Sequence, residues 1–155
     1  MRFFLAAIRF IAFVAVTFGL YVVWLLLGFF IPDKLYWRRT VFSLWARTFV
    51  GISGMKIEVA GTPPRAPFFL VSNHLGYTDI ALLRAVTQGI FVAKGEYQDS
   101  FLGNRLVGGM GNVFINRQNR RDIPRAGAEV LKKLNEGEGV IVFPEGTCTK
   151  GETIL

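Results

Sequence analysis

The sequence predicts an α/β domain, a mostly parallel sheet covered by helices, preceded by an N-terminal membrane-embedded helix and an interfacial helix. Three observations predict this. No residue from Phe10 to Ile31 is charged. Beyond Gly54 the pattern changes to short apolar runs alternating with longer stretches of helical character, as in strands joined by crossover helices. The basic excess sits beside the apolar third: residues 1–50 hold six Lys/Arg against one Asp (net +5), and residues 51–155 hold twelve against ten (net +2).

The charge-free run Phe10–Ile31 is 22 residues long. At about 1.5 Å per residue it can cross a hydrocarbon layer of ~30 Å. Pro32 and Asp33 stop it. A cleaved signal peptide would end in small residues, and this run ends in Gly28-Phe29-Phe30-Ile31-Pro32. In Lys34–Arg47, Leu35, Val41, Phe42 and Trp45 roughly follow helical spacing beside Lys34, Arg38 and Arg39, the pattern of an interfacial helix with aromatic anchors. An amphipathic helix packed on its own domain gives the same pattern. The two helices fit either a span plus an interfacial helix or a hairpin dipping into one leaflet. For a span, the stronger basic flank on the C-terminal side leaves residues 51–155 in the cytoplasm, at the inner membrane. Residues 1–50 are therefore read as anchor and interfacial helix, and 51–155 as the second domain.

In that domain Lys56–Ala60 alternates like a strand, and Pro63-Pro64 forms a loop. Phe68–Val71 reads as a short buried strand, and Ile90–Ala93, Val113–Ile115 and Gly139–Phe143 as three further strands. Ile80–Thr87 and Pro124–Leu134 read as helices, the latter with Pro early and Gly137 after its end.

Composition narrows the partners. The chain of 155 residues is 52% hydrophobic, contains 15 Phe and carries a formal charge of +7. Its mean hydropathy is +0.39. A basic excess flanking an apolar helix points to anionic lipid rather than nucleic acid. The single cysteine, Cys148, excludes an internal disulfide. Nothing near it marks it as a nucleophile.

Three blocks carry chemistry: Asn73-His74-Leu75-Gly76-Tyr77-Thr78-Asp79, Gly111-Asn112-Val113-Phe114-Ile115-Asn116-Arg117 and Phe143-Pro144-Glu145-Gly146-Thr147. Each follows or closes an apolar run, which places it at a strand end, where α/β folds bind ligands. His74 is the one histidine of the chain. Asp79 can fix its tautomer and leave the other ring nitrogen to take a proton, or it can cap the following helix. Arg117 suits an anion through its planar fork, and Lys94 is a second candidate for the same anion. Arg120, Arg121 and Arg125 read as a solvated or lipid-facing surface. Glu145 suits a substrate hydroxyl or a contact that steadies Arg117, and the Pro/Gly turn around it can offer backbone N–H groups to an anion.

In this order the blocks resemble the glycerolipid acyltransferases typified by 1-acylglycerol-3-phosphate acyltransferase. Asn73-His74…Asp79 is similar to that family's first motif, Gly111…Phe114-Ile115…Arg117 to its second, and Phe143–Thr147 to its third. Phe91-Val92-Ala93-Lys94 is similar to a common intervening stretch. The resemblance covers roughly residues 50–150. It implies that His74, oriented by Asp79, deprotonates the free hydroxyl of a lysophospholipid, which then attacks the thioester of acyl-CoA or acyl carrier protein. Arg117, Lys94, Glu145, Gly146 and Thr147 would hold the head group. No metal and no cofactor is implied; the acyl carrier is a donor substrate. The leading acceptor is 1-acylglycerol-3-phosphate, giving phosphatidic acid, and the alternative is another lysolipid such as lyso-ornithine lipid. Family chains continue to a fourth, apolar, proline-containing block, whereas this sequence stops at Leu155, so the C-terminal part of the family fold is expected to be missing. An inactive membrane-associated remnant is the rival reading.

Overall fold

A computed structural model describes residues 2–146. The chain divides into two compact units, Met1–Ala60 and Gly61–Leu155.

The first unit is a pair of helices, α1 (Arg2–Gly28) and α2 (Lys34–Ser53). Helix α1 starts well before the charge-free run, because isolated arginines at positions 2 and 9 do not oppose helix formation. It is long and apolar enough to cross a membrane by length and composition. Asp33 starts α2 by accepting the Tyr36 amide at 2.8 Å, as an N-cap carboxylate should. Lys34 Nζ reaches back to the Gly28 carbonyl. At the far end Gly54 adopts φ +74° and donates to the Val50 and Gly51 carbonyls, closing the helix.

The seam between these helices is aromatic. The Trp45 indole N–H donates to Thr17 Oγ1 at 3.1 Å and the Trp37 indole to the Trp24 carbonyl at 3.2 Å. Phe13 meets Phe49 edge-on at 5.1 Å. Val41, Ser43 and Ala46 form the buried face of α2. Both indole donors thus turn toward α1, while Tyr36 stays exposed.

The second unit is a parallel four-stranded sheet ordered β1-β4-β2-β3. Its strands are β1 (Phe68–Val71), β2 (Ile90–Lys94), β3 (Val113–Ile115) and β4 (Gly139–Val142), joined through α3 (Thr78–Thr87), short helices α4 (Glu96–Asp99) and α5 (Phe101–Gly103), a π-helical turn (Asn104–Gly108) and α6 (Asp122–Asn135). Phe68 pairs with Gly139, Ile90 with Val140, and Lys94 with Ile115. Strand alternation sends Ile90, Val92, Val113 and Val140 to one face, where Ala126, Val130 and Leu134 of α6 cover them. Phe91, Ile141 and Phe143 go to the other, against Ile80 and Leu83 of α3. Burial on both faces explains why β2, β3 and β4 read as continuous apolar runs; β1, expected to be buried, lies at the sheet edge and leaves Phe69 and Val71 exposed.

The strand expected at Lys56–Ala60 does not form; the segment has no regular secondary structure and joins no sheet. Its apolar residues, Ile57 and Val59, remain exposed. Alternation marks a strand only where a neighbouring edge is there to receive it.

Candidate active site

Because all four strands run parallel, their C-terminal ends share one edge of the sheet, and the three blocks converge there. The Ser72 amide bonds the Val142 carbonyl at 3.1 Å, carrying the β1–β4 ladder one step past Val71. The chain then turns through Asn73 and His74 before α3 begins.

Asp79 lies in the first turn of α3, but the N-cap position belongs to Tyr77, which offers no side-chain cap. The Asp79 carboxylate turns upstream instead. Its Oδ2 accepts from His74 Nδ1 at 3.0 Å, the Leu75 amide at 2.7 Å and the Gly76 amide at 3.0 Å. One oxygen thus fixes both the imidazole and the turn that carries it. An ionised carboxylate only accepts, so Nδ1 is assigned the proton and Nε2 the lone pair. Among the described residues Nε2 has no hydrogen-bond partner. The two side chains are 15% and 16% exposed, open enough for substrate and shielded enough to strengthen the bond. The imidazole stacks on Phe143, with centroids 4.1 Å apart and planes at 18°. Phe143 stacks in turn on Phe91 at 5.8 Å.

The turn after β4 holds both the histidine and the arginine. Glu145 Oε2 accepts the His74 amide at 3.2 Å. The next carbonyl, that of Gly146, accepts from Arg117 Nη1. Gly146 has φ +71°, and a Cβ there would lie 2.9 Å from the Arg117 guanidinium. The left-handed backbone conformation favours glycine, and a side chain there would displace the Arg117 guanidinium. Thr147 lies outside the described residues.

Arg117, Lys94 and Gly146 line a cleft of about 580 Å³ with Glu96, Asp99 and Asn116. Among the described residues, His74 and Asp79 are not in its lining. The expected site residues therefore form two groups, a base with its carboxylate and a charged cleft, joined by the turn at 143–146.

Several contributors escaped the sequence reading. Asn112 is buried; its Oδ1 accepts the Phe91 amide at 2.8 Å and its Nδ2 donates to the Val107 carbonyl at 3.1 Å. A polar residue directly before a buried apolar strand was the available signal. Arg125, read as part of a solvated or lipid-facing surface, is half exposed and also bonds Asp122, Glu129 and the Phe114 carbonyl. The hydrogen bond from Arg125, and next that from the Asn116 amide, together hold the Asp122 pKa down to about 2.

Comparison with known proteins matches residues 56–155 to the family model described as Acyltransferase. The chain belongs to the glycerolipid acyltransferase family. It is 30% identical to the lyso-ornithine lipid O-acyltransferase of Pseudomonas aeruginosa, over 99% of this chain and 60% of that protein. It is 33% identical to a 1-acyl-sn-glycerol-3-phosphate acyltransferase of Neisseria gonorrhoeae, over 64% of this chain and 40% of that protein. The crystal structure of the 1-acyl-sn-glycerophosphate acyltransferase from Thermotoga maritima superposes with a TM-score of 0.63 at 25% identity, covering 95% of this chain and 66% of that one. This acyltransferase-family chain thus spans about 60% of the length of its Pseudomonas relative. The α/β fold with a parallel sheet is common to the chain and its structural neighbour.

Proposed function

We propose that the protein transfers a fatty acyl group from acyl-CoA or acyl carrier protein to the free hydroxyl of a lysolipid, with 1-acylglycerol-3-phosphate as acceptor and phosphatidic acid as product. The observation that carries this is the 3.0 Å bond between His74 Nδ1 and Asp79 Oδ2, which leaves Nε2 as a base. Nε2 takes the hydroxyl proton as the oxygen attacks the thioester carbonyl. The new C–O bond forms, the C–S bond breaks, and the thiolate leaving group recovers the proton from the imidazolium. No covalent enzyme intermediate is needed. Arg117 and Lys94 in the cleft suit the phosphate, and the turn at Glu145, Gly146 and Thr147 completes the head-group side.

The apolar α1 helix supports a membrane location, and substrates with acyl tails call for one. The basic flank after α1 favours the cytoplasmic side of the inner membrane for the catalytic unit.

A second reading is favoured by two observations. The Pseudomonas relative, matched across nearly the whole chain, is named for lyso-ornithine lipid. The cleft also sets Glu96 and Asp99 beside Lys94 and Arg117, a mixed lining suited to a head group bearing both charges.

The test is to incubate membranes carrying the chain with labelled acyl donor and a panel of lysolipids. Transfer to 1-acylglycerol-3-phosphate, lost in His74→Ala by on the order of 10³-fold or more, supports the first reading. Transfer confined to lyso-ornithine lipid overturns it in favour of the second. No transfer to any acceptor, before or after the substitution, refutes both.

A further inference from the structure

The proposed chemistry gives no role to Asp122 and Arg125, charged residues of the cleft at the start of α6. We propose that Asp122, steered by Arg125, is a positioning residue for Arg117. It fixes the loop from Asn116 to Arg121 so that the Arg117 guanidinium faces an anionic head group. This rests on reading the cleft as the acceptor site.

The argument starts from Arg117 itself. It lies two residues beyond the end of β3 and is exposed. A long side chain on a free loop samples many positions, and ordering it only on binding weakens binding. Here the loop is bracketed. Asp122 Oδ2 accepts the Asn116 amide at 2.7 Å, one residue before Arg117. The same carboxylate takes Arg125 Nε on Oδ1 at 2.5 Å and Nη2 on Oδ2 at 3.0 Å. Arg125 Nη2 also donates to the Phe114 carbonyl at 2.6 Å. One carboxylate and one guanidinium thereby tie the end of β3, the first loop residue and the first turn of α6 together.

Within the bracket Asn116 is the pivot. Its Oδ1 accepts the Gln118 amide at 3.1 Å and its carbonyl the Asn119 amide at 3.2 Å. The Asn119 carbonyl then accepts the Asp122 amide at 2.9 Å. Each bond lies between Asn116 and the helix start, and Arg117 is inside the ring they close.

Two simpler roles do not require this geometry. A negative charge in the first turn favours α6 wherever its oxygens point. An exposed ion pair contributes little by itself. Neither needs the Asn116 amide. The fork from Arg125 also cancels the Asp122 charge, so that carboxylate does not repel an anion in the cleft.

The test uses the full 155-residue chain in detergent micelles, with Asp122→Ala, Arg117→Ala and the double variant. Calorimetry measures the Kd for glycerol 3-phosphate, the bare head-group probe. We expect Asp122→Ala to weaken binding about tenfold, Arg117→Ala to weaken it at least as much, and the double variant to match Arg117→Ala alone. In the transfer assay Asp122→Ala raises the acceptor KM about tenfold and leaves kcat within about twofold. Arg125→Gln breaks the bracket from its other side and gives the same pattern; it decides the matter if Asp122→Ala does not fold. Binding unchanged in Asp122→Ala, fully additive losses in the double variant, or no glycerol 3-phosphate binding by the unaltered chain each overturn the inference. Non-additive binding losses in a chain that transfers no acyl group uphold it and refute the proposed activity instead.

Discussion

The imidazole of His74 lies flat on the ring of Phe143, with centroids 4.1 Å apart and planes 18° from parallel. Asp79 holds one edge of that imidazole and Phe143 supports one face, so the ring's plane as well as its tautomer is fixed. Phe143 is also buried in the core face that α3 covers. Phe143→Ala should therefore destabilise the protein by about 3–5 kcal/mol. Phe143→Leu keeps most of the volume and should cost less than about 1.5 kcal/mol, while lowering the transfer rate by roughly tenfold through loss of the flat support. Denaturant midpoints and single-turnover rates on the two variants separate these effects. A Leu variant with the unaltered rate would assign Phe143 to packing alone.

Gly146 tests the other half of the turn. With φ +71° and a Cβ position 2.9 Å from Arg117, Gly146→Ala incurs both backbone strain and a clash. The strain alone is about 1–2 kcal/mol. The clash should push Arg117 away from the Gly146 carbonyl. The expected outcome is a modest loss of stability in chemical denaturation with a several-fold rise in acceptor KM.

The acid limb of stability should report Asp122. Its folded pKa of about 2 lies below the usual carboxylate value of 3.8, chiefly because Arg125 donates to it and secondly because the Asn116 amide does. A depressed carboxylate stabilises the fold above its unfolded pKa, and that stabilisation fades as pH falls through the folded pKa. The unaltered chain should therefore exceed Asp122→Asn in stability at a constant margin above about pH 5. The margin should narrow between pH 4 and pH 2. Urea midpoints measured across that range check the sign; a margin that widens toward pH 2 contradicts it.

Much of this architecture was legible in the sequence because its signals are local. Phe68–Val71, Ile90–Ala93, Val113–Ile115 and Gly139–Phe143 are apolar runs of strand length, and each falls on a strand within a residue. Lys56–Ala60 looked equally strand-like and failed, since pairing depends on a partner edge that alternation cannot reveal. The stretch from Glu96 to Gly108 gave no periodic signal, because its elements are too short to show one. At the site, the proximity of His74 to Asp79 followed from the spacing of two residues around a turn. The carboxylate's bonds to the Leu75 and Gly76 amides did not, since nothing local separates them from an ordinary helix cap. Asp122 and Arg125 were hidden for the same reason: on sequence they are two charges at a helix start, and only the closed loop shows what they grip.

Glu145 and Gly146 are consecutive along the backbone, yet one grips the loop of the imidazole and the other the guanidinium. The first handle is a side-chain carboxylate and the second a backbone carbonyl, and both hang from the same turn after β4. A shift of that turn displaces both grips at once. Capture and chemistry are in this sense geared to a common axle.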